Sequence, residues 1–158
     1  MQQHRSTWIV PALALIAVAA GQTPAAYTTA STRPGADTTI VTVVTTSDAL
    51  AFDPDVITVK AGTPVKIRYV NSSALAHNLV IVKTDADIDV IGPASFNAHD
   101  TGFVPMEHKS RMIAFSPLAA AGKTVELTFV APDPGEYPFV CFVDGHFNMM
   151  IGKLRSLP

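Results

Sequence analysis

Ten residues near the carboxy-terminal end gather a thiolate, an imidazole and two thioethers: Cys141-Phe-Val-Asp-Gly-His146-Phe-Asn-Met149-Met150. Cys141 is the only cysteine in the 158-residue chain. Sulfur donors with imidazole suit copper above other first-row metals, and a trigonal His2Cys set with a long axial Met is the blue-copper arrangement. That set needs a second histidine, and His77, within Ala76-His77-Asn78-Leu79-Val80-Ile81-Val82, is the expected donor. Two methionines compete for the axial place. Met150, nine residues after Cys141 and four after His146, is expected there, with Met149 left on the rim.

Whether these side chains can meet depends on the rest of the chain. With 11 Lys+Arg against 13 Asp+Glu the net charge is −2, which excludes a basic nucleic-acid-binding face. A hydrophobic fraction of 48% fits one compact domain rather than a disordered chain. Residues 1–20 have the layout of a secretory signal peptide: a short positive head ending at Arg5, an apolar run from Ile9 to Ala20, and the small-residue exit Val18-Ala19-Ala20. The apolar run is short of the roughly 20 residues that span a bilayer, so membrane association is expected only if this segment is retained as an anchor. Export sharpens the meaning of the lone cysteine. An oxidising compartment leaves an unpaired thiol reactive, and a bound metal removes that liability.

Residues 21–38, rich in Thr, Ala and Pro, read as a flexible linker, and residues 39–158 as the folded domain. The domain reads as all-β. Strands are expected over Ile40–Val44, Val56–Val59, Val65–Val70, His77–Lys83, Val125–Val130 and Tyr137–Cys141, with a last one after Gly152. Short strands with Gly/Pro turns between them suggest an antiparallel Greek-key sandwich or barrel. Residues 84–122 break the pattern and are expected to form a long excursion containing a short helix. Period-2 alternation puts Tyr137, Phe139 and Cys141 on one face, and His77, Leu79 and Ile81 on one face of the earlier strand. Both sulfur and imidazole then lie where a core-facing row reaches the rim. Pro138 lacks a ladder donor, so its position should face an edge or a bulge.

The pattern Ala76-His77-Asn78 with Tyr137…Phe139…Cys141-x4-His146-x3-Met150-x-Gly152 resembles the cupredoxin family, closest to its azurin and auracyanin branch. Phe52-Asp-Pro-Asp-Val-Ile-Thr-Val-Lys-Ala-Gly62 resembles its opening strands, and the likeness covers about residues 40–158. The resemblance implies one mononuclear type 1 copper held by His77, Cys141 and His146, with Met150 as weak axial ligand. It also implies that Asn78 joins the ligand loops through backbone hydrogen bonds. Asp144 stands where relatives often have proline. Phe147 and Met149 flank His146 as a possible docking rim, and Phe103, Val104 and Pro105 are further candidates for it.

The implied function is a soluble, exported, periplasmic or otherwise extracytoplasmic carrier, monomeric and not an enzyme. It would pass single electrons between redox proteins such as cytochromes. Copper delivery or storage is the alternative. His99 and His108 are expected to be surface histidines. Asp85-Ala-Asp87-Ile-Asp89 lacks the turn glycine and the closing Glu of a calcium loop and is expected to be a solvated acidic strand end.

Overall fold

The computed structural model describes residues 38–46 and 50–158. The expected signal peptide and nearly all of the linker lie outside the described residues. Among the described residues the β-branched and alternating runs become eight strands: β1 (Thr39–Thr45), β2 (Val56–Lys60), β3 (Pro64–Asn71), β4 (Val80–Val82), β5 (Met112–Phe115), β6 (Thr124–Val130), β7 (Gly135–Val140) and β8 (Ile151–Leu157). One sheet has the order β1-β3-β6 and the other β2-β8-β7-β4-β5, the two layers of a β-sandwich.

Two pairings are parallel, β1 with β3 and β2 with β8, so the sandwich is mixed rather than purely antiparallel. The cause is the chain's path. Between β1 and β3 it crosses to the other sheet as β2 and returns, so the two neighbours run the same way.

Alternation fills the space between the sheets. Ile57, Val59, Ile67, Tyr69, Leu79, Ile81, Phe139, Cys141 and Leu154 belong to one buried cluster. Phe52 meets Tyr69 and Phe139 edge-on within it, at ring-centroid distances of 5.8 and 5.0 Å. Gly152 lets the Phe139 ring lie against the β8 backbone, because a Cβ there would run into that ring and stand 2.7 Å from the Asp55 carbonyl.

The outer face of the five-stranded sheet is also covered. Val80, Val82, Val140 and Phe142 form a second cluster with Ile88, Ile91, Val104 and Met112 from the excursion. This explains why β4 reads as an unbroken apolar run: both of its faces are buried.

The excursion contains a helix, α1 (Asp85–Ser95), two 3-10 turns and β5. The acidic stretch is therefore the first turn of a helix, not a strand end. The Thr84 N–H and hydroxyl both donate to Asp87 Oδ2, at 2.9 and 2.8 Å, as at a capped helix start. Asp87 is buried and receives Arg111 Nη1 at 2.7 Å. Burial pushes its carboxyl up, but the Arg111 guanidinium and the Thr84 bonds outweigh this and hold it below the ordinary range.

Pro138 lies where the strand can spare its donor. It pairs with Lys153, whose own N–H goes the other way to the Asp55 carbonyl at 2.7 Å. On the β4 side, pairing with β7 ends at Ile81↔Phe139, one residue short of Pro138.

Candidate metal centre

Both ends of the expected site are set by strand geometry. His77 precedes β4 in a two-way bridge with Ala119: its N–H donates to the Ala119 carbonyl at 3.0 Å and its carbonyl accepts from the Ala119 N–H at 2.8 Å. Cys141 follows β7 directly, and its N–H donates to the Met150 carbonyl at 3.1 Å. Between them residues Val143–Asn148 coil in a 3-10 turn broken by Asp144 at φ 45° and Gly145 at φ 83°. Proline, locked near φ −65°, cannot take the Asp144 conformation, whereas Asp tolerates the left-handed region. The loop here therefore turns differently from one with proline at that position. The turn delivers His146, whose carbonyl accepts from both the Met149 and Met150 N–H groups at 2.9 and 2.8 Å.

Three donor atoms converge. Cys141 Sγ lies 3.6 Å from His77 Nδ1 and 3.6 Å from His146 Nδ1, and the two nitrogens are 3.2 Å apart. An ion about 2.0 Å from nitrogen and about 2.3 Å from thiolate sulfur spaces near-trigonal donors at about 3.2–3.6 Å for N···N and about 3.6–3.8 Å for N···S. The observed triangle fits that spacing. Among the described residues this trio is the group of His, Cys, Asp and Glu side chains arranged to hold a metal; His99 and His108 are not part of it. His99 instead lies edge-on against Phe103, with ring centroids 4.7 Å apart.

The two methionines differ sharply. Met150 is fully buried in the cluster that holds Cys141, while Met149 is 65% exposed. Phe147 is half-buried, with ring centroids 6.0 Å from Phe96 and 6.1 Å from Phe142. It also lies so close to Gly92 of α1 that a Cβ there would stand 2.7 Å from the ring. Phe103, Val104 and Pro105 are buried and offer no docking surface, because the excursion folds them inward against the two core clusters.

Asn78 ties the ligand segments together. Its Oδ1 accepts from the Phe142 N–H at 2.8 Å and its Nδ2 donates to the Gly102 carbonyl at 2.8 Å. The Phe142 carbonyl is held from the other side by Ser95 Oγ at 3.0 Å. The peptide groups on both sides of Phe142, the residue after Cys141, are thus fixed.

Sequence reasoning missed the partners behind His77. Its Nε2 lies 3.0 Å from Ser73 Oγ, which donates to Asn71 Oδ1 at 2.8 Å. Asn71 Nδ2 in turn reaches the carbonyls of Leu75 and Ala119 at 2.7 and 2.9 Å. The available signal was Asn71-Ser72-Ser73 at the end of a strand, polar residues that look like a simple turn.

Burial tunes all three groups. It pushes the Cys141 thiol up to about 11, against the pull of the Asn78 and Val143 N–H groups facing the sulfur; the Asp144 carboxylate adds to the rise. Burial, then the neighbouring His146, lowers His77 to about 4. His146 is lowered too, by burial, with Asp144 opposing. Metal-free, the site thus holds two neutral imidazoles and a protonated thiol near neutral pH. Such a donor set accepts a cation by giving up one proton, from sulfur.

A two-sheet β-domain with a His-Cys-His trio at one end is the architecture of a mononuclear copper protein. Residues 39–155 match the family described as copper binding proteins, plastocyanin/azurin family, and the chain belongs to that family. It is a blue copper cupredoxin, with a single copper as cofactor. It is 35% identical to Auracyanin-A of Chloroflexus aurantiacus over 148 residues, covering 92% of this chain and 91% of that protein. Auracyanin-B of the same organism is 32% identical over 151 residues, covering 89% of this chain and 64% of that protein. The solved structure of auracyanin A, a "blue" copper protein, superposes with a TM-score of 0.73 at 39% identity. It covers 76% of this chain and 99% of that one.

Proposed function

We propose that this protein carries single electrons, with His77 Nδ1, His146 Nδ1 and Cys141 Sγ as equatorial copper ligands and Met150 as the weak axial one. The observation that carries this reading is the buried triangle of donors, 3.2, 3.6 and 3.6 Å on a side, attached to two strands of one sheet and a short loop. Copper in such a site supplies reversible one-electron chemistry between Cu(I) and Cu(II).

The residues of the chain supply the rest. His77 and Cys141 are fixed by backbone bonds to Ala119 and Met150, which limits ligand movement between the two redox states. Met150, buried beside the cysteine, supports the axial assignment; the exposed thioether of Met149 does not reach a core site. His146 is 9% exposed and is the route by which electrons enter and leave. Met149, with the exposed edge of Phe147, forms the rim on which a redox protein such as a cytochrome docks, through the small interface usual for electron transfer. The chain works as a monomer outside the cytoplasm, exported through residues 1–20. It is a carrier and not an enzyme.

The test is optical. Protein loaded with Cu(II) is expected to show an intense blue band, and Cys141→Ser to abolish it; a persistent band in that variant overturns the ligand set. Met150→Gln is expected to shift the reduction potential with copper still bound. An unchanged potential there, with a shift in Met149→Gln instead, reverses the axial assignment.

A further inference from the structure

The hydroxyl of Ser73 has one proton and four polar neighbours. Asn71 Oδ1 stands at 2.8 Å and the Leu75 carbonyl at 3.1 Å, both acceptors. The Leu75 N–H donates to it at 3.3 Å, and His77 Nε2 lies at 3.0 Å. Asn71 is held with its oxygen toward Ser73, because its Nδ2 faces the carbonyls of Leu75, Ala119 and Ala120 at 2.7, 2.9 and 3.2 Å. An oxygen there would meet three oxygens.

With that orientation fixed, the Ser73 hydroxyl donates its hydrogen bond to Asn71 Oδ1. Turning it toward His77 would leave a 2.8 Å approach of two oxygens with no proton between them. The hydroxyl therefore offers His77 a lone pair, and His77 Nε2 must carry the hydrogen. A neutral imidazole protonated at Nε2 has a bare Nδ1, and Nδ1 is the atom facing Cys141 and His146.

From this we infer that Ser73 is a positioning residue: oriented by Asn71, it holds His77 in the tautomer and ring setting that presents an unprotonated Nδ1 to copper. The inference rests on the ligand assignment proposed above. His77 is thereby ready to bind before metal arrives, and outer hydrogen-bond partners of this kind commonly change metal affinity about 10- to 100-fold. His146 differs. Among the described residues no side-chain nitrogen or oxygen is both buried and unbonded, and none bonds His146 Nε2, so that atom reaches solvent and no protein group holds it.

The experiment combines nitrogen NMR of 15N-histidine-labelled, metal-free protein with copper competition against a chelator. In the wild type, His77 is expected as a single tautomer with hydrogen on Nε2. In Ser73→Ala that tautomer is expected to mix with the Nδ1–H form, and copper affinity to fall about 10- to 100-fold; Ser73→Thr is expected to restore both. Hydrogen on His77 Nδ1 in the wild type overturns the proposal, as does a Ser73→Ala protein with unchanged tautomer and affinity. The wild-type spectrum needs no variant and reads the His77 tautomer even if Ser73→Ala fails to fold. Failure of the copper reading is seen separately, as wild-type protein that takes up Cu(II) without a blue band.

Discussion

The two histidines of the site have similar distances to the sulfur and opposite surroundings. His77 is bridged to Ala119 through its backbone, sealed to 1% exposure and bonded through Ser73 to Asn71. His146 is carried by a loop with two left-handed residues, and its outer nitrogen is open to water. One half of the site is strand-anchored and shielded; the other is loop-borne and accessible. A carrier needs both, since a rigid half limits reorganisation and an accessible half lets electrons cross to a partner.

The largest expected effect comes from deleting each imidazole in turn. In His146→Gly the gap opens to solvent, so added imidazole should enter and restore the blue band. In His77→Gly the gap lies behind Ser73 and Asn71, and added imidazole should restore little or nothing. Visible titration with imidazole reads both variants, and equal rescue would erase the distinction between the two halves.

Acid should separate them next. Between pH 6.5 and about 4 an unfolded His77 takes up a proton that the buried folded one refuses. The unfolded state then binds more protons, so stability of the metal-free protein falls as pH drops through that window, by up to about 3 kcal/mol from His77 alone. Denaturant melts of metal-free protein at pH 6.5 and 4.5 should show the loss. His77→Gln should remove most of the slope, and His146→Gln less, since His146 is the more exposed. A larger effect from His146→Gln would contradict the assigned burial.

The smallest expected effect perturbs only the loop half. Gly92→Ala puts a methyl group 2.7 Å from the Phe147 ring, next to His146. Overpacking costs about 1–3 kcal/mol, and because a Cβ before Pro93 disfavours helical backbone the usual helix-propensity gain does not offset it, so the net loss should be about 1–3 kcal/mol. The blue band and the His146 NMR signals should shift while those of His77 stay in place. Movement of the His77 signals instead would mean that the two halves are mechanically coupled.

This asymmetry also explains what the sequence made legible. Ligand spacing and strand alternation are local, so the convergence of Cys141 and His146 on the inward-facing row ending at His77 was legible. Pro138 announced a gap in the ladder, and the gap is where β4 pairing stops. The excursion was harder. In α1 the Gly92-Pro93 step obscures helical periodicity, although Thr84 and Asp87 were present as a capping signal. Asp87 looked solvated because its partner, Arg111, is 24 residues away. β5 is only four residues long and is defined by pairing with β4. Ser73 and Asn71 could not be recognised for a related reason: their bonds run to His77 and Ala119 through a fold that composition does not reveal.

The central claim is that copper stays in this site and cycles there. Its most direct measurement is a titration of copper-loaded protein with reductant and then oxidant, repeated in the presence of a strong Cu(I) chelator. The expected result is one electron per protein in each direction, with the blue band bleaching and returning in full and copper retained. Transfer of copper to the chelator on the first reduction, with no return of colour, would contradict the electron-carrier account and indicate copper delivery.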